Sequence, residues 1–215
     1  MSELAIHPLG EAALCCALPP PLSLEQQRRI WQLAAGLAAV DGVQALIPGM
    51  NNLTLLFDPL ATEAAALEQT IRVLWAKPPR RHQLGRLVEI PVTYGGEGGP
   101  DLADVATHCG LSDDEVVRRH TQADYVVYFI GFQPGFAYLG GLDESLHTPR
   151  RAEPRVAVPA GSVGIGGAQT GIYPLATPGG WQLIGRTSVA LFDPAAEPPT
   201  LLAPGDRVRF VAERP

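Results

Sequence analysis

From Val156 to Gly185 the chain carries no charged side chain. The run reads Val-Ala-Val-Pro-Ala-Gly-Ser-Val-Gly-Ile-Gly-Gly-Ala-Gln-Thr-Gly-Ile-Tyr-Pro, then Leu-Ala-Thr-Pro-Gly-Gly-Trp-Gln-Leu-Ile-Gly before Arg186. Its polar side chains are Ser162, Gln169, Thr170, Tyr173, Thr177 and Gln182. An ordinary solvated surface mixes charges of both signs, so this run is not one. Its glycines and prolines exclude a helix. Short strands bent at glycines, as in a small closed β-barrel, accommodate it. Glycine also lets a ligand or partner come close to the backbone. Packing at barrel corners is one reading of the run. A buried site or protein interface is the other, and the basic flanks Arg150, Arg151, Arg155 and Arg186 favour it, because a guanidinium fork suits carboxylate or phosphate.

The stretch before the run is apolar. Tyr125–Phe132 has the β-branched and aromatic composition of a buried strand. Turn dipeptides Pro134-Gly135 and Gly140-Gly141 follow. Between them Phe136 and Tyr138 fall on one face of a short extended piece.

The N-terminal part has a different pattern. Residues 11–18 form a strand that Pro19-Pro20-Pro21 ends. Ser23 and Gln26 make a capping box, and Ile30, Leu33, Ala34 and Leu37 give the following helix its apolar stripe. Asp41-Gly42 stops it. Val43–Ile47 and Leu53–Phe57 are strands, joined by a loop that is long for a hairpin. Residues 61–76 form a second helix with Ala65, Leu67, Ile71, Leu74 and Trp75 as core. The order β-α-β-β-α is most of a ferredoxin-like unit, and Leu87–Val92 is available as its missing strand. Lys77–Gly85, basic and proline-rich, marks the domain boundary, with Arg80 and Arg81 in a solvated linker. The expected domains are 1–84 and 85–215, and the expected class is α+β.

Beyond the boundary, Tyr94-Gly-Gly-Glu-Gly-Gly-Pro-Asp101 joins a strand to a helix start. An anion site at a helix N-terminus has this arrangement, but so does a flexible turn with Asp101 as N-cap, and there is no P-loop signature. Two short helices then meet at Gly110, the second opened by Ser112 and Glu115. They resemble a helix-turn-helix, yet Asp113-Asp114-Glu115 stands where phosphate contacts belong. The net charge of −6 also opposes nucleic acid. After the uncharged run, Ser188–Phe192 and Arg207–Val211 read as strands.

The chemistry-bearing residues are dispersed. His7, His82, His108, His120 and His147 share no metal-ligand spacing with the three cysteines or with carboxylates. Ser162 lies outside any Gly-x-Ser-x-Gly elbow and has no base nearby in sequence. The odd cysteine count opposes a disulfide framework. With no signal peptide and no membrane-length apolar run, it points to the cytoplasm.

Several motifs together carry a resemblance. They are Phe129-Ile-Gly-Phe-x-Pro-Gly-Phe-x-Tyr-Leu139, Thr148-Pro-Arg-Arg-x-x-Pro-Arg155, Val158-Pro-Ala-Gly-Ser-Val-Gly-Ile-Gly-Gly-x-Gln-Thr-Gly-Ile-Tyr-Pro174 and Pro178-Gly-Gly-Trp-Gln-Leu-Ile-Gly-Arg-Thr187. They resemble the family that holds the 5-oxoprolinase B subunit, KipI-type kinase inhibitors and allophanate hydrolase subunit 1. Ile47-Pro-Gly-Met-Asn-Asn-Leu-Thr54 is most similar to the oxoprolinase branch. The resemblance covers nearly the whole chain and implies a ferredoxin-like α/β domain followed by a cyclophilin-like β-barrel. It implies an ATP-dependent opening of 5-oxoproline to glutamate, with Mg²⁺ and a nucleotide site shared with or supplied by partners. Those partners are a KipA-like C subunit, in direct contact, and an A subunit. The barrel motifs leave two other readings open: inhibition of a sensor histidine kinase, and a carboxyltransferase-type subunit of urea breakdown. The motif positions nominate Gln169, Thr170 and Tyr173 as site lining, with Phe132, Phe136 and Tyr138 as an apolar wall. Ser162, Arg150, Arg151 and Arg186 join them as binding residues, and Asp101 and His120 stand as candidates for acid–base work.

Overall fold

A computed structural model describes residues 3–21, 23–79 and 85–213. The chain divides into two compact units, Met1–Gln83 and Leu84–Pro215. Positions 80–84 of the expected linker, with Arg80 and Arg81, lie outside the described residues.

In the first unit the elements are β1 (Ala5–Pro8), β2 (Ala13–Ala17), α1 (Leu24–Leu37), β3 (Val43–Gly49), β4 (Asn52–Phe57) and α2 (Ala64–Trp75). The sheet order is β1-β2-β4-β3, antiparallel throughout. β4 sets the core by simple alternation, with Leu53, Leu55 and Phe57 buried. Ile30, Leu33 and Leu37 of α1 and Leu67 and Ile71 of α2 cover that face. Ser23 caps α1 by accepting from the Gln26 N–H at 3.1 Å. Ala65 departs from expectation: it is exposed, because it projects from the opposite side of α2 to Leu67 and Ile71.

Two further expectations for this unit are corrected. The fourth strand of the ferredoxin-like sheet is not Leu87–Val92 but β1, which pairs with β2 from the N-terminal side. The unit is therefore a permuted version of that fold. β1 is short, mostly exposed and closed by a proline, so it lacks the alternation that marks a half-buried strand. The β3–β4 connection is also tighter than expected. Gly49 pairs with Asn52, leaving Met50 and Asn51 as the turn, with Asn51 at φ 52. Buried Gln27 holds that turn, accepting from the Asn51 N–H at 2.7 Å and donating to the Gly49 carbonyl at 3.0 Å.

The second unit comprises β5 (Leu87–Tyr94), α3 (Leu102–Cys109), α4 (Asp113–Gln122), β6 (Tyr125–Ile130), β7 (Ala137–Gly140), β8 (Arg155–Val158), β9 (Ser162–Gly166), β10 (Gln169–Ile172), β11 (Thr177–Gly179), β12 (Gln182–Arg186) and β13 (Arg207–Glu213). Seven of these strands close into a barrel in the order β10-β7-β6-β13-β5-β12-β9, and β8 and β11 form a separate two-stranded sheet. Only β5 and β13 pair in parallel within the barrel. Val127, Leu139, Val163, Ile165, Ile184 and Phe210 fill its interior. The α+β class with a closed barrel agrees with the sequence expectation.

Helices α3 and α4 lie on the barrel and bury Leu102, Val105, Val116 and His120. Gly110, at φ 66, makes the turn between them. Arg118 and Arg119 both close on Glu115, at 2.5 and 2.7 Å. Their hydrogen bonds pull the Glu115 carboxyl down to about 2. Ser188–Phe192, expected as a strand, is irregular, with one isolated bridge between Phe192 and Thr200. The barrel closes without it and leaves it no edge to join. Among the described residues no helix is long and apolar enough to cross a membrane.

Candidate functional site: an aromatic cup on the outer barrel wall

Strand alternation decides which part of the uncharged run faces inward. On β9 and β10 the side chains of Val163, Ile165, Thr170 and Ile172 enter the barrel, while Gly164, Gly166 and Gly171 face out. Trp181 lies across these glycines. A Cβ at Gly166 would sit 2.5 Å from the indole Nε1, and one at Gly171 would sit 3.2 Å from Trp181 Cζ3 and 3.3 Å from Phe136 Cζ. The glycines are thus the floor on which a large ring rests. Gly179 serves Tyr173 in the same way, with its Cβ position 2.6 Å from the tyrosine hydroxyl.

A second, smaller core forms outside the barrel as a result. It contains Phe136, Val158, Tyr173, Trp181 and Leu183, with Tyr138 half-buried against it. Phe136 is its hub, with ring centroids 4.9 Å from Tyr138, 5.3 Å from Tyr173 and 5.5 Å from Trp181. All three contacts are edge-to-face, the geometry that ring quadrupoles favour. Phe132 forms the rim, 5.5 Å from Phe136 and 6.5 Å from Tyr173. It is 61% exposed and sits at φ 69. Left-handed backbone in a bulky residue costs on the order of 1–3 kcal/mol and concentrates at functional sites.

Polar groups surround this cup. The Arg150 guanidinium stands 5.9 Å from the Trp181 ring, within cation–π range. Burial raises the pKa of Tyr138, and Arg150 opposes that rise. Burial also raises Tyr173, against the Trp181 backbone N–H and the Arg150 and Arg155 charges. Gln169 is the register partner of Gly166. Directly opposed residues share a face, so Gln169 stands on the outer wall beside Trp181. Its amide nitrogen is buried with no hydrogen-bond partner among the described residues, as is Arg155 Nη1.

Asp101 anchors the segment that carries Arg150. Its Oδ1 accepts from Arg155 at 2.7 Å and Arg151 at 3.1 Å, and its Oδ2 from the Leu183 N–H at 2.6 Å. The Asp101 side chain is 3% exposed. It occupies the N-cap position of α3 without capping it, a correction to the turn-and-cap reading. The glycine turn before it, from Gly95 to Gly99, has its first and last N–H groups engaged. The Gly95 N–H bonds the Ile184 carbonyl at 3.0 Å and the Gly99 N–H bonds the Gly95 carbonyl at 2.8 Å.

His120 lies elsewhere, in the barrel core. It is fully buried and stacks on Phe210 at 4.5 Å. Tyr94 Oη is 2.7 Å from Nδ1, and Thr170 Oγ1 is 2.9 Å from Nε2. The Thr170 hydroxyl donates to the Gly164 carbonyl at 2.9 Å, so it accepts from Nε2–H. Nδ1 then accepts from the Tyr94 hydroxyl. Burial lowers the imidazole to about 3, which keeps it neutral.

The structure therefore brings together Phe132, Phe136, Tyr138, Tyr173, Arg150 and Gln169. It joins Arg151 to them only through Asp101. His120 and Thr170 meet each other inside the barrel and not at the cup. Ser162 is buried at the start of β9, and the buried imidazole bonds Tyr94 and Thr170 rather than this serine. Arg186 is exposed and donates to the Ala160 carbonyl at 3.2 Å. Sequence reasoning left Trp181 out of the site, although three outward glycines on adjacent strands called for a ring to cover them. It also missed Tyr94, which sits on a strand whose composition suits either unit.

The barrel places the chain in a class of known domains. The family described as carboxyltransferase domain, subdomain C and D, matches residues 4–202. The fold is shared with the urea amidolyase of K. lactis, at TM-score 0.84 and 19% identity over 99% of this chain and 15% of that one. The structure of TTHA0988 is similar at TM-score 0.81 and 40% identity, covering 94% of this chain, which spans only 40% of that longer chain. The 5-oxoprolinase B subunit of Escherichia coli O157:H7 is 56% identical over 215 residues, covering 100% of this chain and 98% of that protein. The chain belongs to the family of 5-oxoprolinase B subunits.

Proposed function

We propose that this chain is the B subunit of an ATP-dependent 5-oxoprolinase, with a KipA-like C subunit in direct contact and an A subunit to complete the enzyme. The observation that carries this reading is the 56% identity across the whole chain to a protein of that name. The lactam of 5-oxoproline is a stable amide. Phosphorylation of its carbonyl oxygen makes the ring carbon open to water, and the products are glutamate, ADP and phosphate. Phosphoryl transfer of this kind depends on positioning and charge neutralisation.

The cup supplies one side of such a site. Half-buried Tyr138, backed by the packed Trp181, offers its ring to a small substrate, and Arg150 offers a fork to its carboxylate. Gln169 has an amide nitrogen that lacks a partner among the described residues. Among the described residues no group of three or more His, Cys, Asp or Glu is placed to hold a metal ion. On this reading the partner chains complete a site for ATP with Mg²⁺, and the isolated chain is inactive. The free cysteines Cys15, Cys16 and Cys109 suit a reducing, cytoplasmic setting.

Co-expression with the KipA-like and A subunits, followed by an assay of 5-oxoproline-dependent ADP release, tests this. The complex turns over and the lone chain does not. Robust turnover by the lone chain refutes the shared site. A tight complex with a sensor histidine kinase, and none with the KipA-like protein, replaces the reading with that of a kinase inhibitor.

A further inference from the structure

Phe132 makes edge contacts with Phe136 and Tyr173, yet its turn holds most of the ring outward. The Gly131 N–H bonds the Phe136 carbonyl at 3.1 Å, the Gln133 N–H bonds the Gly131 carbonyl at 2.8 Å, and the Phe136 N–H bonds the Gln133 carbonyl at 3.0 Å. Gly135, at φ 79, is wedged so that a Cβ would sit 2.8 Å from Phe192 Cβ. The Gln133 side chain ties the turn to the Leu175 carbonyl at 3.3 Å. The turn is thus pinned at both ends, and the residue at its left-handed corner is an aromatic where glycine or asparagine would sit without strain. The ring is 61% exposed, and Leu175 beside it is 40% exposed. A rigid, pre-positioned aromatic next to a packed cluster has the form of an interface anchor, because little further ordering is lost on binding.

We propose that Phe132 is the anchor by which the cup docks onto a separate polypeptide, the counterpart of what longer relatives carry in the same chain. TTHA0988 holds the matching region in 40% of its length. The Escherichia coli protein that this chain covers to 98% of its length is named as one subunit, which supports a complement on another polypeptide. The inference rests on the functional reading above and adds the surface. The partner's patch is an apolar pocket for the ring, set beside the place where Arg150 meets the substrate carboxylate.

The test measures affinity and stability together. Wild type, Phe132→Gly and Phe132→Asn are titrated against the purified KipA-like protein by calorimetry, and each lone chain is unfolded in urea. Both variants relieve the left-handed corner, so their unfolding midpoints match or exceed wild type. Both bind the KipA-like protein at least tenfold more weakly. Wild-type affinity in stable Phe132→Gly and Phe132→Asn chains overturns the anchor while leaving the oxoprolinase reading intact. Absence of any wild-type complex with the KipA-like protein removes that reading and the anchor with it.

Discussion

Trp181 resting on Gly164, Gly166 and Gly171 shows how one side chain dictates its neighbours. A Cβ at Gly166 would press on the indole at 2.5 Å. Gly166→Ala therefore displaces the ring and destabilises the lone chain by about 1–3 kcal/mol, as overpacking does, which chemical unfolding measures. His120 makes the opposite case, a polar residue that belongs to the core. Its pKa falls to about 3 when folded because burial disfavours the cation. The unfolded chain takes up a proton near pH 6.5 that the folded chain refuses. Its contribution is complete above about 6.5 and falls by about 1.4 kcal/mol per pH unit down to about 3. Between pH 6.5 and 5, wild type should lose about 2 kcal/mol more than His120→Gln, since only the imidazole titrates there. Equal losses would mean that the ring reaches solvent. The sequence did contain a clue to its place: His120 follows Val116 by four residues, on the face of α4 that packs inward. Polarity alone made it resemble an acid–base group.

At the scale of elements, Asp101 joins α3, β12 and the segment from Arg151 to Arg155. Removing its charge leaves two guanidinia against a buried amide. Asp101→Asn should cost about 3–5 kcal/mol, the usual result of breaking a buried pair from one side. Arg150 then loses its seat over Trp181, so assembled activity falls as well. Unfolding of the lone chain and turnover of the complex measure the two effects. An unchanged midpoint would show that Arg151 and Arg155 hold the segment without Asp101. Helices were legible before the fold was known, because α1 and α4 carry capping residues and a local stripe. Strand assignment was harder. β5 has the composition of either sheet, and its partner β13 lies more than a hundred residues on. β1 has no pattern until β2 pairs with it. Ser188–Phe192 has a strand's composition but no free edge. Pairing is a long-range property that composition does not encode.

At the scale of the molecule, an acidic chain, with net charge −6, sets Arg150, Arg151 and Arg155 beside one aromatic face. Only Asp101 pairs with any of these three among the described residues. The face was half legible. The uncharged run announced a covered surface, and its aromatic motifs named most of the cup. Which side of the barrel each residue takes was not legible, because inward Thr170 and outward Gln169 are neighbours in sequence. That division yields the central claim: Gln169 acts at the outer cup while its own strand is held by other bonds. The decisive measurement is 5-oxoproline-dependent ATP hydrolysis by the reconstituted complex carrying Gln169→Ala, alongside urea unfolding of the lone variant. The account predicts a rate at least about tenfold lower, or about 1.4 kcal/mol of barrier, with stability within about 0.5 kcal/mol of wild type. Wild-type turnover in a fully assembled Gln169→Ala complex would contradict it.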